Sequence, residues 1–362
     1  MQTKPVEGER QVYMMGNEVC VWAALAADVK VMYGYPITPQ NQVMHYWARL
    51  SPKFGRLFTQ TEDEISAGFM TLGAVMGGVK AFTATSGPGH VIMQDAFSMA
   101  EMMRLPSVAI IVQRGGPSTA TVIYSQQEVM LAVHGGNGEG IRIVYSTSGH
   151  QDLYDYTLKA FNTAWKYRFP TFILSDGYQG QMRESVTLYD PEVRGIEMVK
   201  PEAYVGREGS FKEGRKPGHW RNCFSIEEEL EEALGEVISA YERVKEEIVE
   251  WEEEFCEDAE LVAIAHGIVA RGVREAVRNL RDKGYKVGFF RPITLAPFPE
   301  KQIRDAVKNA KKILFVESAY GQLKDLAKMH LYGTHQEIYG LFRPGVGITP
   351  NRVIHEVQKI LS

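Results

Sequence analysis

The stretch Gly34-Tyr35-Pro36-Ile37-Thr38-Pro39 follows an apolar run at residues 31–33, and Glu64 and the glycine loop Thr85-Ser86-Gly87-Pro88-Gly89 come after it. The apolar run is typical of a buried strand, and the turn that follows it contains two prolines. An acid then opens a helix of small residues, and a second apolar run, residues 81–85, ends in the glycine loop. Because ligands of an open α/β sheet bind beyond the carboxyl ends of its strands, the three segments predict one shared binding edge.

Short apolar runs alternate with helix-like stretches over residues 1–189, which predicts an α/β domain with a doubly wound parallel sheet. The predicted strands are residues 31–35, 81–85, 108–112, 141–145 and 172–174. Asn17 is the predicted N-cap of the first helix, and Asp63 that of the helix that contains Glu64. Ala67 and Gly68 predict that this second helix packs closely on its neighbours.

Residues 190–257 form a predicted linker followed by an acidic helix. The linker is polar and rich in glycine and proline up to residue 222. A capping box at residues 225–228 then opens a helix that we expect to run to about Phe255, with one apolar stripe packed and its glutamates in water. The predicted stripe consists of Leu230, Leu234, Ile238, Tyr241, Val244, Ile248 and Trp251.

A second, smaller α/β domain is predicted over residues 258–362. Its expected elements are a strand at 262–265, a helix at 270–283, a strand at 287–291, a helix at 301–311 and a strand at 313–317.

The composition excludes several classes of protein. A chain of 362 residues that is 44% hydrophobic is long enough for two cores. Its net charge of -5 lacks the basic excess that nucleic-acid binding needs. Three cysteines without a CxxC pair predict neither a zinc site nor an iron–sulfur cluster within the chain, and we assign no metal ligand. No apolar run approaches the roughly 20 residues that span a bilayer, so we expect a cytoplasmic protein with no membrane contact.

These motifs, in this order, resemble the alpha subunits of the 2-oxoacid:ferredoxin oxidoreductases. The resemblance rests on YPITP at residues 35–39, TSGPG at 85–89 and QRGGP at 113–117, and it continues through 288–294 and 297–299. It implies a pyrimidine-binding domain for thiamine diphosphate, followed by a domain similar to the transketolase carboxyl-terminal domain. Residues 125–128 depart from the family pattern, because Gln127 and Glu128 replace a glutamine, a small residue and an aspartate.

The resemblance also implies which residues contact the cofactor. Glu64 is similar to the acid that binds N1′ of the aminopyrimidine, a catalytic role in which burial would raise its pKa. Glu62 and Asp63 are rival assignments, and all three acids could simply favour a helix N-terminus. The other cofactor-binding residues that the resemblance implies are Pro36, Ile37, Thr38, Ser86, Gly87 and Pro88, although the glycine loop could also be an ordinary turn.

Arg114 and Thr38 resemble the family's ligands for the substrate carboxylate. Arg114 directly follows an apolar strand, where a charge is costly without an anionic partner. Pairing of Arg114 with an acid such as Glu139 remains an alternative, as does a turn role for the Thr38 hydroxyl.

The chain lacks the GDG motif with a downstream asparagine that holds the diphosphate through magnesium, and Asp176-Gly177 is its nearest fragment. The resemblance therefore implies a beta subunit that carries the diphosphate and Mg²⁺ site, with thiamine diphosphate shared between the chains. Iron–sulfur clusters would lie in partner subunits only, among them gamma and in some cases delta, a ferredoxin-like chain.

The implied reaction is CoA-dependent oxidative decarboxylation of a 2-oxoacid to an acyl-CoA and CO2, with electrons passed to ferredoxin, or its reverse. We expect 2-oxoglutarate or 2-oxoisovalerate rather than pyruvate. Two other hypotheses stay open: the pyrimidine half of a non-redox transketolase or decarboxylase, and a non-catalytic scaffold subunit.

Overall fold

The computed structural model describes residues 4–205 and 221–362 and contains two parallel-dominated sheets and a small ribbon. The strands of the first part of the chain are β1 Glu9–Met15, β2 Val31–Gly34, β3 Leu57–Gln60, β4 Ala81–Thr85, β5 Val108–Gln113, β6 Ile143–Ser146, β7 Thr171–Asp176 and β8 Arg183–Tyr189. Its helices are α1 Gly16–Ala26, α2 Asn41–Leu50, α3 Glu64–Met76, α4 Pro88–Ile92, α5 Gln94–Met102, α6 Val129–His134, α7 His150–Tyr167 and α8 Gly177–Gln181.

The remaining elements build the second sheet and its helices. The strands are β9 Trp251–Glu254, β10 Leu261–Ile264, β11 Val287–Pro292, β12 Thr294–Ala296, β13 Lys312–Glu317 and β14 Glu337–Phe342. The helices are α9 Glu227–Ile248, α10 Gly267–Asp282, α11 Glu300–Val307, α12 Gln322–His330 and α13 Pro350–Leu361.

The first sheet has the strand order β12-β6-β7-β5-β4-β2-β3 and is parallel except for β12. Its central strands are fully buried, as expected for a parallel sheet that is covered on both faces. Trp47, Phe82 and Phe161 pack edge to face on one side of it. The predicted α/β class and parallel sheet are confirmed. The ribbon of β1 and β8 is antiparallel and was not predicted.

The second sheet has the order β14-β13-β10-β11-β9, and only β9 runs antiparallel. All five elements predicted for this part of the chain are present, with ends that differ by a few residues. The two sheets interlock, because β12 follows β11 in the chain yet pairs with β6 of the first sheet. The domain boundary at residue 257 therefore stays a prediction. Strands on either side of it pair with each other, β9 with β11 and β6 with β12.

Three predictions about helix ends were wrong. Helix α1 begins at Gly16, so Asn17 lies inside its first turn and its amide turns instead to the Pro39 carbonyl oxygen, 2.8 Å away. Helix α9 begins after Ile226 without a side-chain cap, which places Ser225 one residue too early for a capping box. It ends at Ile248 rather than near Phe255, because the next residues pair with β11.

The acidic helix packs along the middle of the predicted stripe, where Ile248 is buried and Leu234, Tyr241 and Val244 are partly buried against the core. Val237 and Ala240 add to this packed face, whereas Leu230 and Ile238 are exposed and Trp251 lies in β9. Ahead of this helix, the predicted linker is only partly described, since its residues 206–220 lie outside the described ranges. Residues 196–205 pack on the first domain, where the Tyr204 N–H donates to the Met76 carbonyl oxygen.

Within the described ranges, no helix combines the length and the apolar character that crossing a membrane requires.

Candidate active site

The carboxyl ends of β2, β4 and β5 bring the three sequence motifs to one edge of the first sheet. After β2, residues 35–39 form a loop whose Thr38–Pro39 peptide is cis. The Gln40 amide donates to the Tyr35 carbonyl oxygen at 2.8 Å and closes this loop from within. Asn17 and Gln181 both donate to the Pro39 carbonyl oxygen, so helices α1 and α8 fix the loop from outside. Pro36 and Thr38 are exposed, and Ile37 is half buried.

Glu64 is the first residue of α3 and is buried. Asp63 caps this helix as predicted, because its carboxylate accepts the Ser66 N–H at 2.7 Å. Asp63 is thereby occupied and Glu62 is exposed, which leaves Glu64 as the buried acid of the three. Burial raises the pKa of Glu64, Asp63 adds to the rise, and Arg114 opposes it. Glu64 therefore holds a proton more tightly than a free glutamate does.

The glycine loop lies directly against Glu64. A Cβ added to Gly89 would lie 2.5 Å from Glu64 Oε1, so this backbone approaches the carboxyl as only glycine allows. Gly87 has a φ of +48°, in the left-handed region, and a Cβ there would lie 2.7 Å from Arg114 Nε. The Ser86 hydroxyl is buried and has no hydrogen-bond partner within the described residues. Small residues of α3 are closely packed as predicted, since Gly68 faces Ala96.

Arg114 directly follows β5 and is buried, with 4% of its surface exposed. Its Nη1 donates to the Thr38 carbonyl oxygen at 2.8 Å, and its Nε has no partner in the described part of the chain. Burial lowers its pKa, while Glu128 and Glu64 act in the opposite direction. The alternative pairing with Glu139 is not formed. Thr38, Glu64, Gly87 and Arg114 are thus brought together at one edge, and their catalytic and binding roles stay predictions.

A buried acid that the sequence did not assign lies behind these loops. Glu128 Oε1 accepts the N–H groups of both Gly87 and Arg114 at 2.9 Å, and its Oε2 lies 2.9 Å from His90 Nδ1. In the sequence Glu128 is marked only by the departure from the family pattern at residues 125–128 and by its position in a polar run directly before an apolar helix.

The second domain supports this polar run. Gln126 and Ser318 exchange hydrogen bonds at 2.9 Å, and the Gln126 amide also donates to the His266 carbonyl oxygen. Gln322 binds the Gln127 carbonyl oxygen and the Met130 N–H. These contacts join Ser318 and Gln322 of the second domain to the polar run that carries Glu128.

The donor set fits the aminopyrimidine end of thiamine diphosphate. Glu64, a buried acid of raised pKa, lies beside the glycine backbone of residues 87–89. The Ser86 hydroxyl and the Arg114 Nε lie close by, and neither has a hydrogen-bond partner among the described residues. Asp176, from the fragment nearest to a GDG motif, is instead used locally, since its carboxylate caps α8 through the Gln179 N–H at 3.0 Å.

Comparison with known proteins agrees with this geometry. The family described as "Pyruvate flavodoxin/ferredoxin oxidoreductase, thiamine diP-bdg" matches residues 22–253, and "Pyruvate:ferredoxin oxidoreductase core domain II" matches residues 259–350. The 2-oxoglutarate synthase subunit KorA of Methanocaldococcus jannaschii is 37% identical over 86% of this chain and 89% of its own length. The ketoisovalerate oxidoreductase subunit VorB of Methanothermobacter marburgensis is 36% identical over 87% and 88%.

Two solved structures have related folds. The 2-oxoglutarate:ferredoxin oxidoreductase of Magnetococcus marinus, solved with 2-oxoglutarate, coenzyme A and succinyl-CoA, superposes with a TM-score of 0.85 at 27% identity and covers 97% of this chain. This chain spans 65% of that longer chain. A split-gene transketolase, at 14% identity and a TM-score of 0.59, shares the fold. With two family matches and relatives above 35% identity over most of its length, the chain is an alpha subunit of the 2-oxoacid:ferredoxin oxidoreductase family.

Proposed function

We propose that this chain supplies the aminopyrimidine half of a shared active site in a complex that oxidatively decarboxylates a 2-oxoacid with coenzyme A and passes the electrons to ferredoxin. The observation that carries this proposal is the buried Glu64 beside the side-chain-free backbone of Gly89 and near Arg114. The relatives are oxidoreductase subunits, which favours this function over a transketolase or decarboxylase half and over a scaffold.

Each residue of the edge has a distinct task in this proposal. Thiamine diphosphate, when bound, supplies the carbon nucleophile that attacks the 2-oxoacid carbonyl. Glu64 donates a hydrogen bond to the aminopyrimidine and holds the proton whose position sets its tautomer. Ser86, Gly87 and Pro88 form one wall of the pocket for the aminopyrimidine, and Pro36 and Ile37 lie on the loop that faces it.

Arg114 and Thr38 hold the substrate carboxylate in this proposal. A guanidinium binds a carboxylate with charge and direction together, and the Arg114 side chain is already oriented by the Thr38 carbonyl oxygen. The Nε of Arg114, which has no partner in the part of the chain that the structure describes, provides a further donor at the site. Fixing the carboxylate in this way places the adjacent carbonyl carbon for attack.

The proposal assigns the diphosphate and Mg²⁺ to a beta subunit, and iron–sulfur clusters to partner chains that include gamma and in some cases delta. Exposed apolar side chains support a covering partner at this edge, because they lie on the elements that carry Glu64, Pro88 and Arg114. They are Ile65 and Met70 on α3, Val91 and Ile92 on α4, and Val122 and Ile123 in the loop after Arg114.

The experiment compares the chain expressed alone with the chain coexpressed with its partner subunits. We expect ferredoxin reduction that depends on a 2-oxoacid and CoA only from the assembled complex, and turnover by the isolated chain would refute the shared site. A panel of 2-oxoglutarate, 2-oxoisovalerate and pyruvate tests the proposed substrate class. Activity on pyruvate alone contradicts the preference for the two larger substrates.

A further inference from the structure

The carboxylate of Glu128 joins two loops that carry predicted ligands. Its side chain is buried, and one oxygen, Oε1, accepts two backbone N–H groups at 2.9 Å, from Gly87 and from Arg114. The other oxygen, Oε2, lies 2.9 Å from His90 Nδ1. Both oxygens of Glu128 therefore have partners within the chain. Glu64 differs, because its Oε1 faces the Gly89 backbone of the glycine loop.

By accepting both N–H groups, Glu128 sets the position of the glycine loop relative to Arg114. The loop bends through Gly87, and the Arg114 side chain passes so close that a Cβ on Gly87 would lie 3.2 Å from Arg114 Cγ. A shared acceptor fixes both main chains at this crossing. Without it, two buried donors would lack a partner, and such donors are costly to leave unpaired.

Glu128 is itself held from two directions. Its own N–H donates to Gln113 Oε1 at 3.3 Å, and the Gln113 amide donates to the Ser175 carbonyl oxygen on β7 at 3.0 Å. On the other side, Gln126 is bonded to Ser318 of the second domain. The acceptor is thus fixed by the first sheet and by the second domain together.

We propose that Glu128 is a positioning residue that orients Arg114 toward the substrate carboxylate by holding the backbone of Arg114 and Gly87. This inference rests on the proposed role of Arg114. It assigns the effect to the geometry of the acceptor oxygen, so an amide of the same length can replace the carboxylate. One amide oxygen can accept both N–H groups, and the amide nitrogen can donate to His90 Nδ1 when the ring proton is on Nε2.

The first experiment compares Glu128→Gln, Glu128→Asp and Glu128→Ala in the assembled complex. We expect Glu128→Gln to keep kcat/KM for the 2-oxoacid within about fivefold of wild type. Glu128→Asp cannot reach both donors, and Glu128→Ala has no acceptor, so both should lose roughly 20-fold or more, mainly through KM for the 2-oxoacid with KM for CoA unchanged. Glu139→Gln, an exposed acid on the connection from α6 to β6, is the matched control and should be unchanged.

Three results would overturn the inference: wild-type kinetics of Glu128→Ala, a loss in Glu128→Gln as large as in Glu128→Ala, or a matching rise in KM for CoA. If Glu128→Ala fails to assemble, Glu128→Asp gives the same test, because it keeps a carboxylate at the buried position.

A double-mutant cycle with Arg114→Ala separates this inference from the proposed function. If Glu128 acts through Arg114, the double variant should be no worse than Arg114→Ala alone within about threefold. Losses that multiply would show an independent effect of Glu128 and refute the inference. If Arg114→Ala alone keeps wild-type kcat/KM, the proposed role of Arg114 itself fails, which is a distinct result.

Discussion

Two buried arginines lie at the carboxyl ends of strands in the two sheets, and they have different partners. Arg291 of β11 bonds to Asp152 at 2.5 Å, to Glu252 at 3.1 Å and to the Ser146 carbonyl oxygen. Arg114 after β5 forms no ion pair among the described residues, and its side chain bonds only to the Thr38 carbonyl oxygen there. The second sheet thus compensates its buried cation within the chain, whereas Arg114 has no acidic partner among the described residues and is the cation for which we propose an incoming anion.

Buried acids show the same contrast. Burial raises the pKa of both Glu64 and Glu317. Glu317 accepts the N–H groups of Leu323 and Lys324, at 2.9 and 3.1 Å, and so caps the start of α12. Glu64 faces the glycine loop instead. Buried acids therefore differ in their partners: two backbone N–H groups occupy Glu317, whereas Glu64 is the acid for which we propose a ligand-binding role.

The largest effect that tests this contrast is expected from Glu64→Gln. Loss of the acid that shares a proton with the cofactor should lower kcat of the assembled complex about 10²- to 10⁴-fold, with little change in unfolding midpoint. Glu62→Gln removes an exposed charge from the same run and serves as control. Full activity of the Glu64→Gln complex would support the scaffold hypothesis.

Arg114→Lys should come next, with a fall in kcat/KM for the 2-oxoacid of about 100-fold. Lysine keeps the charge but loses the planar pair of donors that orients a carboxylate. Steady-state kinetics of ferredoxin reduction measures it, and Arg278→Lys, in an exposed pair with Glu254, provides the matched control. Unchanged kinetics would mean that the substrate carboxylate is bound elsewhere.

Arg291→Gln should act on stability instead of affinity. The change leaves Asp152 and Glu252 without their buried cation and should lower the free energy of unfolding by about 2 kcal/mol, with KM for the 2-oxoacid unchanged. Denaturant unfolding measures the loss. Arg278→Gln, on the surface, should change it by less than about 1 kcal/mol. A raised KM with unaltered stability would remove the distinction between the two arginines.

Asp176→Asn tests how the burial of one acid of the first sheet, at the end of β7, makes stability depend on pH. Burial raises the pKa of Asp176 from 3.8 to about 7, so the folded protein binds a proton more tightly than the unfolded chain, and stability falls as pH rises between these values. Asparagine should remove this fall. One pKa unit of that shift corresponds to about 1.4 kcal/mol of stability, so the Asp176→Asn variant should have a higher unfolding midpoint than wild type at pH 8. Asp305→Asn on the surface is the control, and parallel pH profiles of wild type and Asp176→Asn would contradict the expectation.

Thr38→Val should have the smallest effect, because its carbonyl oxygen stays in place for Arg114 and only the hydroxyl is lost. We expect KM for the 2-oxoacid to rise about fivefold, as for one hydrogen bond. Thr38→Ser keeps the hydroxyl and should restore the wild-type value. Equal KM in all three proteins would leave the hydroxyl with the turn role, in which it accepts from Asn41.

The sequence predicted the sheets better than their edges. Fully buried strands such as β4 and β5 are short apolar runs between turns, so their pattern is local and readable. Residues 251–254, Trp-Glu-Glu-Glu, favour a helix by themselves, but pairing with β11 makes them a strand. Tertiary pairing of this kind has no local signal, and the same holds for β1, β8 and β12.

The site divides in a similar way. Thr38 and Arg114 lie in motifs, and the sequence predicted that the loop with Thr38, the helix start at Glu64 and the glycine loop share an edge. Glu128 reaches Gly87 across 41 residues, and its position depends on contacts with the second domain, so no spacing in the sequence indicates it. The cytoplasmic location remains a prediction from composition.

Strand β12 has a consequence for any attempt to divide this protein. This three-residue segment from the carboxyl-terminal part of the chain is an edge strand of the first sheet. Conversely, β9, which comes before residue 257, is an edge strand of the second sheet. A scission at residue 257 would strip one strand from each sheet and leave two open, unpaired borders, which invite aggregation. Truncation studies should therefore keep residues 251–296 in one polypeptide.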